Sequence, residues 1–151
     1  MKQTLKIVGL VCALAILFTA CGAKKEIDGK QFTETMQAAD YVITDLTAEY
    51  SDMMRECYLA SDYVGNAIQL NIYTDKNEAL EMFASAQAAF GAGNLSGVTE
   101  KSQSSGSFQK YSIESKETYQ VICQIGKTIL IASSDVANKG SIDKMIDSLG
   151  Y

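Results

Sequence analysis

Along residues 31–151 the apolar positions follow two alternating periods, one of about 3.6 residues and one of two. Phe32, Met36 and Ala39 fall at i, i+4 and i+7, which predicts a short helix over 31–39. Tyr41 to Leu46 is a β-branched run and reads as a strand. Met53 to Ala60 reads as a second strand with poor alternation, and Ser61 to Asn66 carries the turn residues of a hairpin loop. Ala67 to Thr74 alternates cleanly. Ile68, Leu70 and Ile72 point one way, and Gln69, Asn71 and Tyr73 point the other.

Asp75 and Glu78 have the spacing of a capping box, in which the Asp accepts from free helix N–H groups and the Glu reaches back. The helix they predict runs to about Phe90. Ala79, Phe83, Ala86 and Phe90 form its apolar stripe, widened by Leu80 and Met82, with Gly91 and Gly93 as C′ candidates. Asn94 to Ser107 is rich in Ser and Gly and predicts one long loop, a variable connector or a binding lid. Phe108 to Ser115, Tyr119 to Ile125 and Thr128 to Ser133 predict three successive strands, the last two joined by a Gly126-Lys127 turn. The final helix has Ser141 as its N-cap candidate and Ile142, Met145, Ile146 and Leu149 on one face. Gly150 stands at C′, and Tyr151 folds back as the apolar C″ contact.

Strand pairs joined by short turns favour an antiparallel sheet over a βαβ repeat, so the predicted class is α+β with helices packed mainly on one face. The other face would then be open. It offers Gln69, Asn71, Tyr73, Gln120 and Gln124 as a candidate binding face. Amides supply donors and acceptors, and Tyr adds a flat apolar ring with a hydroxyl, a mixture that suits sugars, peptides or a protein. An ordinary solvated sheet face is the plainer reading. Glu78 and Glu81 sit in the first turns of a helix, where the dipole favours acids without any catalytic role. The sequence shows no calcium loop and no phosphate-binding glycine loop, and neither metal nor cofactor is expected.

The chain contains no His. That removes Ser–His and Cys–His nucleophile pairs, His–metal sites and an imidazole switch, so a non-enzymatic protein is expected. Four Cys are present: Cys12, Cys21, Cys57 and Cys123. Cys57 and Cys123 could form a disulfide in an oxidising compartment. Yet Cys123 shares an alternating apolar face with Val121 and Ile125, where a free thiol packs as a small hydrophobe.

Ahead of this domain, Lys2 and Lys6 precede Ile7 to Phe18, a run of 12 uncharged residues. That length fits the apolar region of a signal peptide and falls short of the roughly 20 residues of a membrane span. Phe18-Thr-Ala-Cys21-Gly then resembles the lipobox of bacterial lipoproteins. The resemblance implies that Cys21 carries a thioether-linked diacylglyceryl group and becomes the N-terminus. Cys21-Gly-Ala23 also has the small-x-small form of ordinary signal cleavage. The expected organisation is a signal peptide over 1–20, the lipidated Cys and a flexible tether over 21–30, and one α+β domain over 31–151. Without Lys2 and Lys6, eleven basic residues face all 18 acidic ones, a net charge of −7. Such a surface argues against nucleic acid as a partner.

The layout resembles the small uncharacterised lipoproteins of Gram-positive anaerobes, Firmicutes especially. They share a lipobox, a short helix ending near Tyr41-Val-Ile-Thr-Asp45, a strand and capped helix near Tyr73 to Ala79, a Ser-rich loop, paired strands and a Leu149-Gly-Tyr151 ending. These motifs are structural and imply no activity. The expected location is the extracytoplasmic face of the cell membrane. The expected partners are the lipid bilayer, through diacylglyceryl-Cys21, and an envelope protein. The expected function is a protein-binding or accessory module. The alternative is a small lipid-anchored protein that binds a sugar or peptide and serves a transporter.

Overall fold

The computed structural model describes residues 24–91 and 97–151. The expected signal peptide, Cys12, the expected lipidation site Cys21 and the C′ candidate Gly93 lie outside the described residues. Helix α1 (Gly29–Ala38) leads into strands β1 (Val42–Asp45), β2 (Glu56–Ser61) and β3 (Ala67–Ile72). Helix α2 (Lys76–Gly91) follows, then β4 (Thr99–Ser105), β5 (Phe108–Glu114), β6 (Thr118–Ile125) and β7 (Thr128–Asp135). A 3₁₀ turn (Val136–Asn138) and helix α3 (Lys139–Ser148) complete the order. The seven strands form one sheet in the order β1-β2-β3-β7-β6-β5-β4, every pair antiparallel. The fold is α+β. Among the described residues no helix is long and apolar enough to cross a membrane.

Local chemistry sets the helix ends. Asp28 Oδ1 accepts from Gln31 N at 2.7 Å at the start of α1. The capping box of α2 forms as its spacing predicts. Asp75 Oδ1 accepts from the Asn77 and Glu78 amides, and Glu78 Oε2 accepts from the Thr74 amide. At the end of α3, Tyr151 N donates to Ile146 O and Gly150 N to Asp147 O, the two bonds of a Schellman ending, with Gly150 at φ 88°. Ser141 is not the cap. The helix starts three residues earlier than that cap would place it, at Lys139, with Asn138 as N-cap. Gly91 likewise lies within α2 rather than at its C′ position.

The end of α1 repeats the Schellman pattern without glycine. Asp40 holds φ 63°, Tyr41 N donates to Met36 O and Asp40 N donates to Gln37 O. A residue with a Cβ is strained in that conformation. Asp40→Gly is therefore expected to raise stability by about 0.5–1 kcal/mol, seen as a higher urea midpoint with an unchanged slope.

The sheet carries helices on both faces, which corrects the expectation of one covered and one open face. Phe32 and Met36 of α1 and Ile142 and Ile146 of α3 pack on Ile68, Leu70, Val121, Cys123 and Leu130. Ala79 and Phe83 of α2 pack on the opposite side, against Tyr111, Ile113, Ile122 and Ile129. The segment 46–54 also lies on this side, through Leu46, Tyr50 and Met54.

Two further expectations are revised. The region predicted as one long loop contains β4, whose seven residues are all exposed and offer no apolar alternation to read. The tether expected over 21–30 ends earlier: Ile27 is only 4% exposed and belongs to the core, and α1 begins at Gly29.

Candidate functional site

The sheet face predicted to be open is largely closed. Asn71, Tyr73 and Gln124 are buried, while Gln69 and Gln120 are half-buried. Cross-strand register places Asn71 opposite Cys57, and a small polar cluster forms there. Gln69 Nε2 donates to Asn71 Oδ1 at 2.8 Å, and Cys57 Sγ donates to the same oxygen at 3.3 Å. Thr47 Oγ1 accepts from the Cys57 amide at 3.1 Å and ties segment 46–54 over the cluster. Burial pushes the Tyr73 hydroxyl up to about 12. Gln124 turns its amide nitrogen to Gly126 O, away from Gln69 and Asn71. These five residues therefore do not converge on one site.

The cluster is structural, and its removal is expected to cost stability. Asn71→Ala leaves the Gln69 amide and the Cys57 thiol without their acceptor. A loss of about 1–3 kcal/mol is expected in chemical denaturation. A variant as stable as wild type would show that the cluster contributes nothing.

Cys57 and Cys123 are both buried and free. They lie in the cores on opposite faces of the sheet, so no disulfide joins them. Burial raises the thiol of Cys57 and pushes that of Cys123 up to about 12, and neither thiolate is favoured.

A different site emerges where the sheet extends beyond α3. A groove of about 600 Å³ runs between that helix and the β4–β5 hairpin. Lys139, Asp143 and Asp147 line one wall, and Lys101, Gln103 and Lys110 line the other. Spacing explains both walls. Residues 139, 143 and 147 fall at i, i+4 and i+8 on one helix face, and positions 101 and 103 share one side of β4. Tyr119 forms part of the floor, and its hydroxyl donates to Asp143 Oδ1 at 2.8 Å. Burial, and next the Asp143 carboxylate, push that phenol well above its ordinary range. Lys110 Nζ approaches Asp143 Oδ1 at 3.5 Å. Lys139 donates to Glu114 Oε2 and lies 5.2 Å from the centre of the Tyr119 ring. The Glu114 carboxylate holds the Lys139 ammonium above its ordinary range.

The groove therefore presents both signs of charge on an ordered floor. β4 forms its outer wall and is also the edge of the sheet, paired among the described residues only with β5. A second cleft, of about 340 Å³, lies on the other face of the same hairpin, between Phe83, Gln87 and Tyr111. The helix-face spacing of 139, 143 and 147 is a signal for this site that the sequence reading missed, because the helix was expected to begin after Ser141. Its other wall lay in a segment that reads as loop.

No protein-family model matches the chain. No curated protein sequence matches it. A similar solved structure is that of a GTP binding regulator from Thermotoga maritima. It is 14% identical, has a TM-score of 0.50, and the match covers 82% of this chain and 85% of that one. At this identity the likeness is one of fold alone, an α+β architecture shared over most of both chains.

Proposed function

We propose that this chain is an extracytoplasmic lipoprotein, held at the cell membrane by diacylglyceryl-Cys21, that acts as a non-enzymatic binding or accessory module for an envelope protein. The lipobox resemblance supports the anchor. The groove beside the β4 edge supports the binding role, and it is the observation that carries the reading. An edge strand leaves a row of N–H and C=O groups unpaired on its outer side. An extended peptide segment can add to such an edge, with side-chain specificity supplied by neighbouring clefts. β4 has a cleft on each face and exposes all seven of its residues. Lys101 and Asp147 stand on opposite walls, and neither forms an ion pair among the described residues, so both are available to a partner's charges.

The second reading, a small ligand-binding protein serving a transporter, is favoured by the groove volume, which falls within the ~300–1,000 Å³ of small-molecule sites. Such sites are mostly apolar and bury most of the ligand. This groove is open and lined largely by charged and amide side chains, which suits a protein segment better.

Photo-crosslinking in native membranes separates the two readings. A crosslinker at Gln103 is expected to give a discrete protein adduct that is lost in Asp147→Lys. The same probe at exposed Lys116 is expected to give none. Equal adducts from both positions would remove the groove from the account. No protein adduct, together with a thermal shift on adding a sugar or peptide, would favour the second reading.

A further inference from the structure

The chain enters the domain at one end of the sheet, and it is fastened there. Lys24 Nζ lies 4.3 Å from the centre of the Phe108 ring. Glu26 Oε1 accepts from the Lys127 amide at 2.7 Å, inside the β6–β7 turn. Gly126 lets the Glu26 carboxylate lie against the turn, since a Cβ at that position would collide with it. Ile27 is then buried in the core. The β4–β5 turn at Gly106 is at this same end, because Ser105 pairs with Phe108, and Phe108 in turn with Ile125.

The β2–β3 hairpin tip lies at the opposite end of the sheet, since Ala67 pairs with Ser133 while Ile72 pairs with Thr128. At about 3.4 Å per residue that register separates the two ends by roughly 17 Å before the tip is added. The tip itself is ordered. Asp62 Oδ1 accepts from the amides of Val64 and Asn66, and Asp62 Oδ2 accepts from Asn66 Nδ2 at 2.7 Å. This turn holds Tyr63 92% exposed.

Residue 21 is three residues before Lys24, a reach of at most about 11 Å even when fully extended. That reach is shorter than the separation between the two ends of the sheet. From these distances we infer that the end of the domain formed by residues 24–26, Gly106 and the Gly126-Lys127 turn is a lipid-facing surface resting on phosphate headgroups, with the β2–β3 tip projecting away. This rests on the lipidated Cys21 of the proposed function. Charge acts in the same direction. Lys24, Lys25 and Lys127 stand at the anchored end and outnumber the Glu26 carboxylate beside them, whereas the mature chain as a whole carries −7 and is repelled by an anionic bilayer. The domain thus stands on its lysine-bearing end, and the groove opens sideways, parallel to the membrane.

Paramagnetic broadening tests this orientation. The lipidated chain is placed in nanodiscs of phosphatidylglycerol and phosphatidylcholine that carry a gadolinium headgroup lipid. The Gly106, Gly126 and Lys127 amides are expected to lose several-fold more intensity than those of Tyr63, Val64 and Gly65. Uniform loss, or greater loss at the tip, would overturn the inference. A chain that fails to co-purify with nanodiscs would contradict the anchor instead. Coupling a diacyl maleimide to the Cys21 thiol then restores the attachment and poses the same comparison, since Cys57 and Cys123 are buried.

Discussion

Ile146→Asp is expected to destabilise the domain by at least about 4 kcal/mol, enough to remove much of the ~5–15 kcal/mol typical of a domain this size. Ile146 is 1% exposed in the core between α3 and the sheet, alongside Leu70, Cys123, Leu130 and Ile142. A carboxylate there has no cation within the apolar cluster, so it must stay charged without a partner or take up a proton, and both are costly. Ile146→Val keeps the apolar contact and is expected to cost only about 0.5–1.5 kcal/mol. Denaturant midpoints for the Asp variant that match wild type would show that this face of α3 is not part of the core.

Cys21→Ser is expected to have the largest effect outside the folded domain: complete loss of labelling by a fatty-acid analogue, with the precursor left uncleaved or cut elsewhere. Burying acyl CH₂ groups contributes about 0.8 kcal/mol each, and stable anchoring takes two chains rather than one. A hydroxyl cannot form the thioether that carries them. Labelling equal to wild type in the serine variant would refute the lipobox reading.

How much of this was legible in the sequence depended on whether an element buries anything. The stripes of α2 and α3 were readable because Ala79, Phe83, Ile142 and Ile146 face a core. The capping box at Asp75 and the Schellman ending at Gly150 were readable because each needs particular residue types at fixed spacing. β4 was not readable. Its Thr99–Ser105 sequence buries no side chain, and its strand character comes from backbone pairing with β5. The candidate binding face failed for a related reason. Alternation at Gln69, Asn71 and Tyr73 correctly separates the two faces of β3, but it does not show what covers the second face. There α2 and segment 46–54 bury Asn71 and Tyr73 with Cys57. Asn71 is satisfied inside the fold by Gln69 and Cys57 rather than left open to a partner. The groove was not read from the sequence: with Ser141 taken as the cap, Lys139 fell outside the predicted helix and its i, i+4, i+8 relation to Asp143 and Asp147 was hidden. Its other wall needed the β4–β5 pairing to bring Lys101 and Gln103 alongside Lys110.

The anchor underlies the proposed location, the orientation on the bilayer and the sideways presentation of the groove. Intact-mass spectrometry of the protein extracted from bacterial membranes tests it most directly. The account predicts a chain that begins at Cys21 and carries the added mass of a diacylglyceryl group on that residue. A chain that begins after Ala23 with no added mass, or one that retains residues 1–20, would contradict it.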